Sequence, residues 1–358
     1  MTPADDLPIT ADASTMTHET RDLSAPSLVL RDPAVEPSEM VGHLVPPPQF
    51  AHATLEGYRP DPEHPTQQQA VDAVERFLAG AGGGGGGFFR KRKAAPVKPG
   101  LYLDGGFGVG KTHLLAALWH AHRGPKRFGT FIEYTALVGA LGYQGAVEAL
   151  RGSALLCIDE FELDDPGDTM IMSRLLGELV AGGTRVAATS NTPPNALGEG
   201  RFAAADFLRE IQALADRFEI LRIDGLDYRR RDAEGSAVVT AEAELGERMR
   251  SLGAQVADDG FEAVVRHLAR VHPSKYSALV AGLDGVVLRD VVPLHDQAQA
   301  LRFVALVDRL YDAQVPVLAT GAPLDEVFAG GMLTGGYRKK YLRAISRLIA
   351  LTSAAASR

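Results

Sequence analysis

The chain has a single cysteine among 358 residues, and that alone excludes an internal disulfide and cysteine-based zinc clusters. Cys157 lies inside the apolar run Ala154-Leu155-Leu156-Cys157-Ile158, where a buried, inert thiol is expected rather than a reactive one. No hydrophobic stretch approaches the roughly 18 consecutive residues of a transmembrane helix. The N-terminus is acidic and proline-containing and has no basic start followed by an apolar run, so a cytoplasmic protein without membrane insertion is expected. An excess of positive charge is also missing. The net charge is −8, and residues 1–50 hold eight acidic against two basic side chains, which leaves 35 basic and 37 acidic groups in the remaining 308. A nearly neutral body carries no global electrostatic footprint for nucleic acid, which is therefore not the expected partner.

Against these absences stands one local signal. Gly105-Gly106-Phe107-Gly108-Val109-Gly110-Lys111-Thr112 fits the phosphate-binding loop pattern G-x-x-x-x-G-K-[ST] without mismatch. The strand candidate Gly100–Leu103 precedes it, and Lys111–His120 opens a helix with Leu114, Leu115, Leu118 and Trp119 at helical spacing. Glycines free the backbone to turn its N–H groups around phosphate oxygens at a helix N-terminus. Lys111 supplies charge to the β- and γ-phosphates and Thr112 a hydroxyl for Mg²⁺, so ATP and Mg²⁺ are the expected ligands.

The organisation follows from composition and periodicity. Residues 1–42 mix Asp, Glu, Ser, Thr and Pro with few aromatics and read as a disordered acidic arm. Residues 43–230 read as the nucleotide-binding core. Within it a helix begins near Thr66, taken as N-cap, with Ala70, Val71, Val74, Phe77 and Leu78 on one face. A glycine-rich insertion over about 80–96 contains Gly82–Gly87 and the basic knot Arg90–Lys93. Further strands are expected at Phe128–Tyr134, Ala154–Ile158, Arg185–Thr189 and Phe218–Ile223, with helices at Ala136–Leu150, Thr169–Val180 and Ala203–Ala215. Strands alternating with helices predict an α/β, doubly wound parallel sheet. Residues 231–358 read as an additional C-terminal α/β region ending in a helix.

The third strand ends in Asp159-Glu160, at the sheet edge where ligands of such folds sit. Asp159 is placed to hold Mg²⁺, directly or through waters, and Glu160 to polarise a water for attack on the γ-phosphate. The next strand runs into Ser190-Asn191, which sets the Asn191 amide beside that pair as a water-orienting or phosphate-sensing group. The added carboxylate favours hydrolysis over phosphoryl transfer to a second substrate. An arginine is also required for charge on the transferring group, and spacing does not choose among Arg201, Arg209 and Arg217.

The loop, Asp-Glu and Asn series resembles an AAA+ ATPase. More specifically the chain is similar to the ZapE group, bacterial cell-division ATPases related to a mitochondrial ATPase. The likeness rests on Gln67–Val71, Ile158–Phe161, Ala188–Pro194, Asp227-Tyr228-Arg229, Ala300–Asp308 and Ser346-Arg347-Leu348, and spans about residues 44–352. It implies an ATP-hydrolysing protein acting on protein partners, such as a tubulin-like division-ring protein, and able to assemble into a homo-oligomer. By motif it implies Lys111, Glu160 and Asn191 in catalysis, Thr112 and Asp159 on the metal, and Gln67 near adenine. Gly198-Glu199-Gly200-Arg201-Phe202 departs from the group's arginine segment, which weakens Arg201 as a finger. Arg343 and Arg347 match its C-terminal arginines and are sensor candidates.

The C-terminal region echoes the core. Val286–Asp290 and Val315–Thr320 flank the helix Gln297–Leu310, and Asp290 lies 30 residues before Thr320, as Asp159 does before Thr189. In that alignment Val291 stands where Glu160 would, so the echo is expected to be non-catalytic. The function that follows is ATP-driven remodelling of protein assemblies. The alternatives are a helicase-loader-type ATPase, suggested by Gly108–Leu115, and a nucleotide-gated scaffold with little turnover.

Overall fold

An unbroken apolar strand needs cover on both faces, and the parallel sheet of the core provides it. In this computed structural model, which describes residues 26–33, 37–80, 98–162, 166–193, 197, 213, 215–225 and 235–358, the core contains β1 (Gly100–Gly105), β2 (Lys126–Thr130), β3 (Leu155–Asp159), β4 (Arg185–Ser190) and β5 (Phe218–Ile223). Their order is β2-β3-β4-β1-β5, with every pairing parallel. This is an α/β fold on a doubly wound parallel sheet, and the phosphate loop leaves the end of β1.

Alternation along the strands sends side chains to two separate cores. Leu101, Leu103, Phe128, Leu155, Cys157 and Ala187 pack toward α2 (Pro65–Gly80) and α3 (Lys111–Ala121), numbered after a short α1 (Pro37–Met40). Tyr102, Leu156, Ile158, Val186 and Ala188 pack toward α4 (Phe131–Leu150) and α5 (Pro166–Ala181). Cys157 is fully buried and burial pushes its thiol up, consistent with inert core packing.

Two local expectations are corrected. The second strand stops at Thr130 instead of Tyr134, and Phe131–Tyr134 begin α4. Thr130 and Glu133 form a reciprocal capping box, with the Thr130 N–H donating to Glu133 Oε2 at 2.7 Å and the Glu133 N–H to Thr130 Oγ1 at 3.3 Å. Such a box contributes about 1 kcal/mol and outweighs the β-propensity of Phe131-Ile132. Thr66 is not an N-cap, because α2 already starts at Pro65, whose missing N–H suits the first turn. The Thr66 hydroxyl instead accepts the Asp224 N–H at 2.9 Å and ties α2 to the end of β5.

The C-terminal part has its own sheet and core. After α6 (Glu242–Leu252), β6 (Val256–Gly260), β7 (Gly285–Val291) and β8 (Val317–Gly321) pair in parallel in the order β6-β7-β8. They are interleaved with α7 (Phe261–Leu268), α8 (Tyr276–Val280) and α9 (Gln297–Asp312), and α10 (Arg338–Ala356) closes the chain. The run β6-α7-β7-α9-β8 repeats β2-α4-β3-α5-β4 in strand order.

The backbone resets the register of this echo. Glu160 and Asp290 both adopt a left-handed φ of 54° just after an apolar strand run. The Glu160 N–H donates to Thr189 Oγ1 at 3.1 Å, and the Asp290 N–H to Thr320 Oγ1 at 3.0 Å. Asp290 therefore stands where Glu160 stands, not where Asp159 does. Arg289 occupies the Asp159 position and is engaged by Asp258 at 2.6 Å, so the repeat keeps the left-handed backbone and lacks the metal-site carboxylate.

The expectation of a disordered arm over 1–42 also fails in part. Leu28 is fully buried in the C-terminal core. The Ser27 hydroxyl and Leu28 N–H both donate to the Asp259 carboxylate at 2.6 Å, and Arg31 donates to the carbonyls of Leu279 and Ala281 at 2.8 and 2.9 Å. Polar composition concealed one apolar anchor whose neighbours satisfy the Asp259 carboxylate. The glycine-rich insertion, Arg201, Arg209, most of Ala203–Ala215 and Asp227–Arg229 lie outside the described residues.

Candidate active site

Three consecutive consequences of the sequence build the site. β1 delivers the chain into the loop, glycine permits the loop's turns, and α3 starts at Lys111. Among the loop glycines, Gly105, Gly108 and Gly110 take φ of 150°, 63° and 84°, whereas Gly106 does not need a positive angle. A Cβ at Gly110 would come within 2.4 Å of the Tyr58 ring, whose hydroxyl donates to the Val109 carbonyl at 2.8 Å. Tyr58 thus braces the loop from outside the motif.

The Lys111 ammonium donates to the Gly105 carbonyl at 3.0 Å, the Gly106 carbonyl at 2.5 Å and Asn191 Oδ1 at 3.0 Å. Thr112 Oγ1 lies 3.2 Å from both oxygens of Asp159. The register of β3 beside β4 brings Thr189 onto the same carboxylate, so one hydroxyl donates to Asp159 Oδ1 and accepts the Glu160 N–H. Burial, reinforced by the charge of Glu160, pushes Asp159 up to about 6, while the Thr189 and Thr112 hydroxyls oppose the rise. A cation at this point would relieve that desolvated charge. A hydroxyl and one carboxylate suit Mg²⁺, which takes few protein ligands and keeps several waters. Among the described residues no group of three or more His, Cys, Asp or Glu side chains gathers to form an all-protein metal cage.

Glu160 faces arginines from the other sheet's side of the molecule. Arg343 Nη1 reaches Glu160 Oε1 at 2.9 Å, and Arg347 Nη2 lies 3.7 Å from the same oxygen. Both arginines project from one face of α10 because they are four residues apart. Each is also bound to Asp308 of α9, Arg343 Nη2 to Oδ2 at 2.6 Å and Arg347 Nη1 to Oδ1. Asn191 Nδ2 donates to Glu162 Oε1 at 3.2 Å, and Lys340 Nζ is 3.5 Å from Glu162 Oε2. Lys339 donates to the Asn191 carbonyl at 3.2 Å.

A cleft of ≈ 980 Å³ is bounded by Tyr58, Gln67, Phe107–Thr112 of the phosphate loop, Asp159, Glu160, Asn191, Tyr311, Arg343 and Arg347. Its dimensions suit a nucleotide. Glu160 also borders a recess of ≈ 90 Å³ shared with Glu162, Asp308, Arg309 and Lys340, whose lining also includes apolar Phe131, Ile132 and Ala305. Gln67 lines the cleft, but its amide is engaged: Oε1 accepts the Asp61 N–H at 2.8 Å and Nε2 donates to the Asp224 carbonyl at 3.1 Å. Arg217 donates to the Gly177 carbonyl at 3.3 Å and is absent from the cleft lining.

Lys111, Thr112, Asp159, Glu160, Asn191, Arg343 and Arg347 converge as a group. Sequence reasoning passed over Tyr58, Glu162, Thr189 in its bridging role, and Asp308. Asp308 did leave a signal: it falls on the buried stripe of α9 with Ala300, Val304 and Val307, where a carboxylate requires a partner.

Comparison with known proteins finds several relatives. The chain is 29% identical over 306 residues to cell division protein ZapE of Escherichia coli strain K12, covering 72% of this chain and 78% of that one. It is 30% identical over 227 residues to lactation elevated protein 1 homolog B of Danio rerio, covering 53% of this chain and 44% of the relative. The solved DnaC helicase loader matches at 19% identity and a TM-score of 0.36, over 49% of this chain and 99% of the loader. The model of the AFG1-like ATPase family matches residues 35–251 and again 240–358. A P-loop cleft completed by C-terminal arginines and a family match along nearly the whole chain lead to one assignment: the protein belongs to the AFG1-like ATPase family.

Proposed function

We propose that the protein hydrolyses ATP in this cleft and uses the cycle to remodel protein assemblies, with bacterial cell division as the cellular setting. The observation that carries the hydrolytic reading is the Thr189 bridge, which fixes the Asp159 carboxylate and the strained Glu160 backbone with one hydroxyl. The setting rests on the likeness to the cell division protein ZapE.

In the proposed cycle Lys111 exchanges loop carbonyls for the β- and γ-phosphates, drawing Asn191 toward the reacting group because their side chains are bonded. Thr112 and Asp159 would hold Mg²⁺, which would supply charge neutralisation to the phosphates. Glu160 accepts a proton from the attacking water once its arginine partner turns to the γ-phosphate. Arg343 and Arg347 are supplied in cis from α10, so nucleotide state is felt directly by the C-terminal sheet and its helices. That linkage gives the remodelling reading its physical route.

The test is Glu160→Gln in the full chain. ATP affinity should change little while turnover falls by about 10²-fold or more, as expected for loss of a general base. Unchanged turnover would remove Glu160 from the mechanism. Capture from bacterial cytosol with the ATP-loaded variant should then retain division-ring protein, and recovery of replicative helicase with single-stranded DNA would overturn the cellular setting.

A further inference from the structure

Besides Asp259, which Ser27 and Leu28 already hold, the C-terminal half buries the carboxylate of Asp308, which the proposed chemistry does not use. Asp308 sits on the apolar stripe of α9, almost fully buried. It contacts Arg343 and Arg347 by one nitrogen each, and in both cases the other terminal nitrogen faces Glu160. Each guanidinium is thus two-sided. Its inner nitrogen is anchored to the C-terminal unit, and its outer nitrogen is aimed across the cleft at the catalytic carboxylate. The neighbouring acid Asp312 is occupied elsewhere, with Arg309 at 3.1 Å and the Gln49 amide at 3.1 Å. Arg347 additionally stacks with its guanidinium carbon 5.1 Å from the Tyr311 ring centre, so its swing is limited on a second side.

Resting on the hydrolytic reading above, the geometry points to Asp308 as a positioning residue: it fixes Arg343 and Arg347 so that their outer nitrogens serve either Glu160 or the γ-phosphate, one at a time. Two flexible arginines without an anchor would follow whichever carboxylate or phosphate was nearest and would lie in the cleft in many conformations. Anchored by one charge-assisted bond each to a separate oxygen of Asp308, they lose that freedom before nucleotide arrives, and the ordering cost is not met again during the reaction. Burial by itself would raise the Asp308 carboxyl, but Arg343, Arg347 and Arg309 outweigh it and hold the group below its ordinary value, so the anchor stays charged. Exchange of the outer nitrogens from Glu160 to phosphate frees the glutamate for water while the inner bonds persist. The C-terminal unit then acts on hydrolysis by moving α9, because any shift of Asp308 carries both arginines with it.

The experiment compares the wild-type full chain with Asp308→Asn, Asp308→Glu, Arg343→Ala/Arg347→Ala, and the combination of Asp308→Asn with that pair. Two quantities are read: steady-state kcat and KM for ATP, and the affinity ratio of a fluorescent non-hydrolysable ATP analogue over the matching ADP. Asp308→Asn should lower kcat by about 10-fold or more with KM changed less than about 3-fold, and should shrink the affinity ratio by about 5-fold. Asp308→Glu should lie between Asn and wild type. On the arginine-pair background Asp308→Asn should cost no more than about 2-fold further, since residues acting as one unit are non-additive. A purely structural Asp308 would instead cost as much on either background, and that result, or an unchanged affinity ratio, overturns the proposal. Should Asp308→Asn fail to fold, Asp308→Glu carries the same comparison, and wild-type kcat and ratio in it would be equally fatal. If the wild type binds ATP without turning it over, the hydrolytic reading fails by itself, and the affinity ratio still decides the role of Asp308.

Discussion

Replacing Thr189 by Val keeps shape and removes one hydroxyl that makes two bonds at the heart of the site. The Glu160 N–H then loses its acceptor at 3.1 Å, and Asp159 loses a donor. Leaving a buried or half-buried N–H without a partner costs about 1–3 kcal/mol. The lost bond also restrained a left-handed glutamate, a conformation that by itself costs about 1–2 kcal/mol for a residue with a Cβ. A stability loss of about 2 kcal/mol is expected in urea denaturation, together with a fall in turnover of about 10²-fold from displacement of Glu160. The internal repeat supplies a matched control. Thr320→Val removes the acceptor of Asp290 N–H at 3.0 Å at an irregularity of β7 with the same φ of 54°, far from the phosphate loop in sequence and outside the nucleotide cleft. It should destabilise the protein by a similar amount and leave kcat per folded molecule intact. Equal loss of turnover in both variants would refute the reasoning, and so would a Thr189→Val protein with wild-type stability and activity.

The remaining predictions use other parts of the structure. Gly110→Ala should weaken ATP binding by about 10-fold or more and lower the melting temperature, because its Cβ would meet the Tyr58 ring and its φ of 84° is one that side chains disfavour, as titration with a fluorescent nucleotide will report. Leu28→Ala should cost about 2–4 kcal/mol in denaturant melts, since a fully buried leucine leaves a cavity in the C-terminal core, while a truly loose arm would give no change. The clamp of Asp308 has a signed pH dependence. Its carboxyl is held below the ordinary value, so its stabilisation is complete above the unfolded-state value of about 4 and is lost as pH falls through the lower folded-state value. The melting-temperature gap between wild type and Asp308→Asn should therefore stay level from about pH 8 to 5 and close below about pH 4. A gap that opened toward acid would contradict the depressed value.

What the sequence by itself determined was local. The phosphate loop, the strand ending in Asp159-Glu160 and the strand running into Asn191 are each contiguous, so backbone conformation and residue type sit in the same few positions. Parallel connections then bring the strand ends to one edge, which made Lys111, Thr112, Asp159, Glu160 and Asn191 legible together. Only the tertiary structure decided the rest. Asp308, Arg343 and Arg347 form one unit because α9 and α10 pack, and nothing in the spacing of an aspartate and two arginines 35 and 39 residues apart specifies who faces whom. Counting residues aligned Asp290 with Asp159, whereas the left-handed φ and the Thr320 bond align it with Glu160. Leu28 belongs to an arm that reads as disordered from composition, and only the Asp259 carboxylate and the core of the second sheet give it a place. Motifs are written in neighbouring residues, but partners across a fold are chosen by burial, because a desolvated charge or an exposed leucine has no meaning until the chain has closed around it.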